Sequence, residues 1–130
     1  MIVLDASAAL ELLLVTSAGE AVARIVGRTG ETLHAPHLID LEVLQAVRRF
    51  VRSDQLTPAR AVDALDDFAA LRVQRYGHLA LATRIWELRE NATAYDAAYL
   101  ALAEALPGTL LTCDAALASV PGSYARVEVV

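Results

Sequence analysis

No lysine occurs among the 130 residues, and cysteine, methionine and tryptophan occur once each. P-loop phosphate binding is thereby excluded, since it needs a lysine and a glycine-rich loop, and neither is present. The single cysteine, Cys113, rules out an intrachain disulfide and a cysteine-rich metal site. It suits a reducing cytosol, so a cytoplasmic protein is expected. No apolar run approaches the roughly 18 residues of a membrane span, because polar or charged residues interrupt each candidate, and no membrane partner is expected. The opening Met1-Ile2-Val3-Leu4-Asp5 lacks the basic region and long apolar core of a signal peptide and reads as folded structure. Internal repeats, low-complexity tracts and Pro/Gly/Ser-rich linkers are missing too.

Apolar residues, by contrast, are plentiful. They make up 56% of the chain, and the mean hydropathy is +0.43, which excludes intrinsic disorder. The length suits one domain over residues 1–130, enough to bury about two-thirds of its unfolded surface. Acidic residues number 16 against 11 basic ones, all arginine, for a net charge of −5. Bulk positive charge is therefore not the means of any nucleic-acid binding.

Short apolar runs alternate with helical patterns. Met1–Leu4 reads as a buried strand, followed by helices over Ala6–Leu14 and Ser17–Arg28, the second closed by Gly30. Leu33-His34-Ala35 is a short strand. In the helical stretch His37–Arg52, Ile39, Val43, Ala46, Val47 and Phe50 share one face, opposite Gln45, Arg48, Arg49 and Arg52. Thr57-Pro58 starts a helix to about Leu71, with threonine as cap and proline at its first position. A strand over Arg72–Tyr76 follows, then a helix over Leu79–Arg89 with Trp86 packed inward. Thr93-Ala94-Tyr95-Asp96 has the form of a capping box opening a helix that ends near Leu106-Pro107-Gly108. Thr109–Thr112 and Val127–Val130 supply two last strands, with a short helix opened by Asp114 between them. This alternation predicts an α/β fold, a layered sandwich around a mostly parallel sheet.

Open parallel sheets bind ligands beyond the carboxyl ends of their strands. Asp5 and Asp114 fall at that boundary, although aspartate there is also a favoured helix cap. Asp96 borders the apolar stripe of its helix, one turn from Leu100, and Glu42 does so one turn from Leu38 and Ala46. A carboxylate near the buried side is costly unless something pairs with it. If the four converge, a hard divalent cation is the natural compensation, Mg²⁺ or Mn²⁺ rather than zinc.

The stretches Val3-Leu4-Asp5-Ala6-Ser7-Ala8, Leu41-Glu42-Val43 with Arg48-Arg49, Thr93–Ala103 and Leu110-Leu111-Thr112-Cys113-Asp114 resemble the PIN domains, and more narrowly the VapC-type toxins of toxin–antitoxin pairs. The resemblance covers nearly the whole chain, in order. It implies a three-layer α/β/α sandwich with a mostly parallel sheet. It further implies Mg²⁺-dependent hydrolysis of RNA phosphodiester bonds through one or two ions, with Mn²⁺ a plausible substitute. Asp5, Glu42, Asp96 and Asp114 correspond to the acidic metal-binding and catalytic quartet, with Glu42 as ligand, water-positioning group or base. Ser7 and Thr112 match positions of supporting hydroxyls. Cys113 stands where the family more often has a small residue such as alanine. A VapB-like antitoxin and a homodimer are the implied partners, with the apolar helices between Ala59 and Leu88 a candidate interface.

Competing chemistries fare worse. A response-regulator receiver wants a late lysine, and a haloacid-dehalogenase-type phosphatase wants Asp-x-Asp where this chain has Ser7. A cysteine hydrolase would need Cys113 beside His34, His37 or His78. A catalytically inactive PIN-like module acting through protein or RNA partners stays open as the non-enzymatic alternative. For RNA contact, Arg48, Arg49, Arg52, Arg72 and Arg75 are the candidate cations. Without the four acids, 12 acidic residues face 11 basic ones, so most of the negative charge would sit in one pocket.

Overall fold

The strands β1 (Ile2–Leu4), β2 (Leu33–Pro36), β3 (Val73–Tyr76), β4 (Thr109–Thr112) and β5 (Arg126–Val129) form one sheet in the order β3-β2-β1-β4-β5. These positions come from a computed structural model, which describes all 130 residues. Every neighbouring pair is parallel, with Val3 opposite both His34 and Leu110. β1 is wholly buried and β4 nearly so, as strands covered on both faces must be.

Helices α1 (Ala6–Leu13), α2 (Ser17–Val26), α3 (Leu38–Arg52) and α4 (Pro58–Ala70) lie between β1 and β3; α5 (Ala82–Glu87) and α6 (Ala94–Ala105) lie between β3 and β4. The chain steps β1 to β2 to β3 in one direction, so right-handed crossovers place α1–α4 on one face. There α1 packs against α2, α3 and α4. The return to β4 runs the other way and puts α5 and α6 on the opposite face, with α6 against β2, β1 and β4. The result is the expected three-layer α/β/α sandwich. Seven consecutive residues of α6, Ala97–Ala103, are buried, and four of them are alanines that let the helix sit close to the sheet. Between α1 and α2 the approach is tighter still: a Cβ on Gly19 would lie 2.1 Å from the Glu11 carbonyl oxygen.

Three expectations need correction. α2 ends at Val26 and is capped by Gly27, while Gly30, at φ +85°, serves a later turn. Leu79–Arg89 is not one helix but a 3-10 turn, Leu79–Leu81, followed by the short α5. Trp86 does not pack inward; it is 67% exposed. Leu81, Ile85 and Leu88, spaced four and three residues apart, form the inward stripe instead. Trp86 points away from it, and the Arg89 guanidinium covers its ring at 4.7 Å from the centroid.

Candidate active site

The sheet reverses its winding at β1, since successive strands depart from it toward β2 on one side and β4 on the other. That switch point is where a parallel sheet opens a crevice at its carboxyl edge. Asp5 follows β1, Asp114 lies two residues beyond β4, and α3 and α6 both begin at this edge, bringing Glu42 and Asp96.

Asp5 is 8% exposed, and donors hold both of its oxygens. Oδ1 accepts from the Ala6 backbone N–H at 2.8 Å, capping α1. Oδ2 accepts from the Ser7 hydroxyl at 2.5 Å and the Thr112 hydroxyl at 2.6 Å. The Cys113 N–H donates to Ser7 Oγ and the Asp114 N–H to Thr112 Oγ1, each at 3.0 Å. Asp114 caps the next turn, accepting from the Ala116 N–H at 2.9 Å. Capping and site placement thus coincide in both aspartates, because one oxygen suffices for a cap.

Glu42 accepts a 2.5 Å hydrogen bond from the Tyr99 hydroxyl. Burial pushes its carboxyl above the ordinary glutamate range, and the charges of Asp5 and Asp96 add to that against the Tyr99 bond. Asp96 is also pushed up, by burial first and then by Asp5 and Asp114. Charge thus couples Glu42 to Asp5 and Asp96, and Asp96 to Asp5 and Asp114. Tyr99, 1% exposed, is held far above the usual phenol range by burial and by Glu42, so it remains a donor. Nothing in the sequence marked Tyr99 as a site neighbour, since it sits within the apolar run of α6.

A cleft of about 460 Å³ opens beside Asp5 and Glu42 and is lined further by Ser7, Gln45 and Arg49. Asp96 and Asp114 lie outside its wall. Of the candidate RNA-contacting arginines, only Arg49 lines this cleft. Arg75 is engaged by Asp40, with Nε at 2.8 and 3.0 Å from the two carboxylate oxygens. Arg72 precedes β3 and lines a separate pocket with Glu31 and His34 at the amino edge of the sheet. The cysteine-hydrolase reading fails here as well. Burial and the charges of Glu11 and Asp5 push the Cys113 thiol up. His34, for its part, is bonded to Thr32 and Tyr76 through its two nitrogens.

Residues 2–123 match the model of the PIN domain family. Over 130 residues the chain is 44% identical to Ribonuclease VapC12 of Mycobacterium tuberculosis (strain ATCC 25618 / H37Rv), covering 100% of this chain and 99% of the relative. The chain is a VapC-type PIN domain. Two solved structures share its fold. One is PAE2754 from Pyrobaculum aerophilum, with TM-score 0.72 and 21% identity over 99% of this chain and 83% of that one. The other is VapBC2 from Rickettsia felis bound to a DNA fragment from its promoter, with TM-score 0.71 and 16% identity over 98% of each chain.

In this PIN domain no three carboxylate, imidazole or thiol groups lie close enough to share one ion. The chemistry of the donor set nonetheless suits a hard divalent cation. It offers carboxylate oxygens only, and two of the four acids are raised partly by their neighbours' charge. Mg²⁺ asks for no closed protein cage, because it is commonly held by one or two carboxylates and keeps several waters. The hydroxyl pair that fixes Asp5 can be tested directly. Thr112→Val removes a fully buried hydroxyl that donates to Asp5 Oδ2 and accepts from the Asp114 N–H. Denaturant titration is expected to show a loss of about 1–3 kcal/mol; an unchanged midpoint would mean that Asp5 needs no such support.

Proposed function

We propose that this VapC-type PIN domain is a divalent-metal-dependent endoribonuclease, the toxin of a toxin–antitoxin pair. What supports this reading is the placement of Asp5, Glu42, Asp96 and Asp114 at the carboxyl edge of the sheet, with Glu42 and Asp96 pushed up by burial and by the charge of neighbouring carboxylates. The 44% identity to a protein named a ribonuclease supports the RNA substrate. Asp5, Asp96 and Asp114 are assigned as metal ligands, direct or through water. When bound, Mg²⁺ would supply positive charge against the charge developing on the phosphoryl oxygens and the leaving oxygen.

Each remaining role belongs to the chain itself. Ser7 and Thr112 hold Asp5 Oδ2 in one orientation, so its position does not depend on substrate. Tyr99 fixes Glu42 through Oε2 and leaves Oε1 free to orient a water or accept its proton. Arg49 faces the cleft as a phosphate contact, consistent with a chain whose net charge is −5 and whose cations are few. A VapB-like antitoxin is the proposed inhibitor, supported by the shared fold with VapBC2. A homodimer is proposed through the apolar surface of residues 59–88, where Val62, Leu79 and Trp86 stand exposed.

Purified protein incubated with RNA is expected to cleave it in Mg²⁺ and to stop on addition of EDTA. Equal cleavage in both, or none in Mg²⁺ at neutral pH, would return the chain to the inactive binding-module reading.

A further inference from the structure

The cleft of about 460 Å³ that is lined by Asp5 and Glu42 continues along α3 beyond these carboxylates. Gln45 lies three residues past Glu42, about 4.5 Å along the helix axis, and Arg49 lies seven past it, about 10 Å. All three side chains line the same cleft, with Ser7 and Leu10 of α1 across from them. One helix face therefore runs from an anionic group through a neutral amide to a cation.

Much of the remaining lining is apolar. Leu10 and Leu41, the latter 72% exposed, offer surface to a flat ring, and Ala46 is too small to fill the space. The volume is that of a site for one small organic ligand, which admits a single nucleotide unit. Two uncharged polar side chains line it, Ser7 and Gln45. Ser7 Oγ is already committed, donating to Asp5 Oδ2 at 2.5 Å and accepting from the Cys113 N–H at 3.0 Å. Gln45 is exposed, and its amide makes no hydrogen bond within the chain. Its donors and its acceptor are all free. An amide presents the two kinds of group side by side, a pattern that matches N6 and N7 on the edge of adenine.

We propose that this cleft holds one unpaired nucleotide next to the scissile phosphate, with Gln45 reading its base edge and Arg49 taking the phosphate on its far side. This rests on the ribonuclease reading and gives that site a base preference, adenine by the pairing above. The nucleotide is single-stranded, as bases that proteins read in RNA generally are.

The test has two arms. Products from a single-stranded RNA pool of randomised sequence are sequenced after cleavage in Mg²⁺, and binding of short homopolymers of each base is measured in Ca²⁺. The wild-type chain is expected to favour adenine about tenfold at one position adjacent to the cut, and the adenine homopolymer by a similar factor, the range of one bidentate contact. Gln45→Ala, at an exposed helical position that alanine suits, should flatten that position alone. Arg49→Ala should keep the preference, weaken all homopolymers alike and lower the salt slope of binding by about one. A preference that survives Gln45→Ala, or a wild-type profile with none beside the cut, overturns the proposal and leaves the ribonuclease reading standing. Gln45-dependent binding of RNA that is never cut overturns the ribonuclease reading and keeps the nucleotide site. RNA neither bound nor cut overturns both.

Discussion

Asp96→Asn is expected to cut RNA on the order of a hundredfold more slowly than the wild-type chain, or worse, and yet to melt no earlier in EDTA. The loss of rate follows from the proposed role of Asp96, one carboxylate of a set that would hold an ion against transition-state charge. Retained stability follows from the electrostatics of the apo site. Burial and the charges of Asp5 and Asp114 hold the Asp96 carboxyl above its ordinary range. A carboxyl raised on folding binds protons more tightly in the native state. Stability then falls as pH rises from the unfolded value through the raised one. Above that raised value the ionised Asp96 opposes folding, and asparagine relieves that opposition. Circular dichroism melts in EDTA alongside a cleavage assay in Mg²⁺ check both halves. Full cleavage by the variant removes Asp96 from the site, whereas an early melt would assign it a structural role.

Glu104→Ala should lower stability at pH 7 by about 3 kcal/mol, far from the carboxyl edge. The Glu104 side chain is 2% exposed and that of its partner Arg84 25%. Arg84 donates to both carboxylate oxygens, at 2.7 and 3.2 Å, and also to the Gly122 carbonyl at 2.7 Å. The Ser123 hydroxyl and the Tyr124 N–H complete the shell around Glu104, each at 3.0 Å. Burial pushes the Glu104 carboxyl up, but these donors outweigh it and the net shift is downward. The sign of the pH dependence follows. The contribution is fully present above the unfolded glutamate value, about 4.3, and is lost as pH falls through the lower folded value. Urea titrations at pH 7 and pH 3 should thus differ less for the alanine variant than for wild type. An unchanged midpoint at pH 7 would show that α5, α6 and the segment before β5 hold together without this cluster.

The contrast between these two sites explains what the sequence made legible. Strands announced themselves as apolar runs, and Thr57-Pro58 and Thr93 marked helix starts that the structure keeps, with their hydroxyls accepting from Arg60 and Asp96 N–H. Asp5 and Asp114 could be placed because each follows a strand, and Glu42 because helical periodicity sets it one turn from buried neighbours. Pairing between distant elements has no such local signature. Arg84 lies 20 residues from Glu104, and Tyr99 lies 57 from Glu42. Trp86 was misplaced for a related reason. Its hydrophobicity argued for burial, but a six-residue helix buries only one narrow stripe, which Ile85 and its neighbours occupy.

Asp5 is tied by a backbone cap and two hydroxyls, whereas Asp96 is pressed by burial and then by its neighbours' charge. Under selection to silence the protein, the carboxylates are therefore unequal targets. On the proposed roles, losing Asp5 is expected to loosen the fold and expose the chain to proteolysis, while losing Asp96 is expected to leave a durable, inert copy. Lineages that disarm such a chain should retain Asp5 long after Asp96 has drifted.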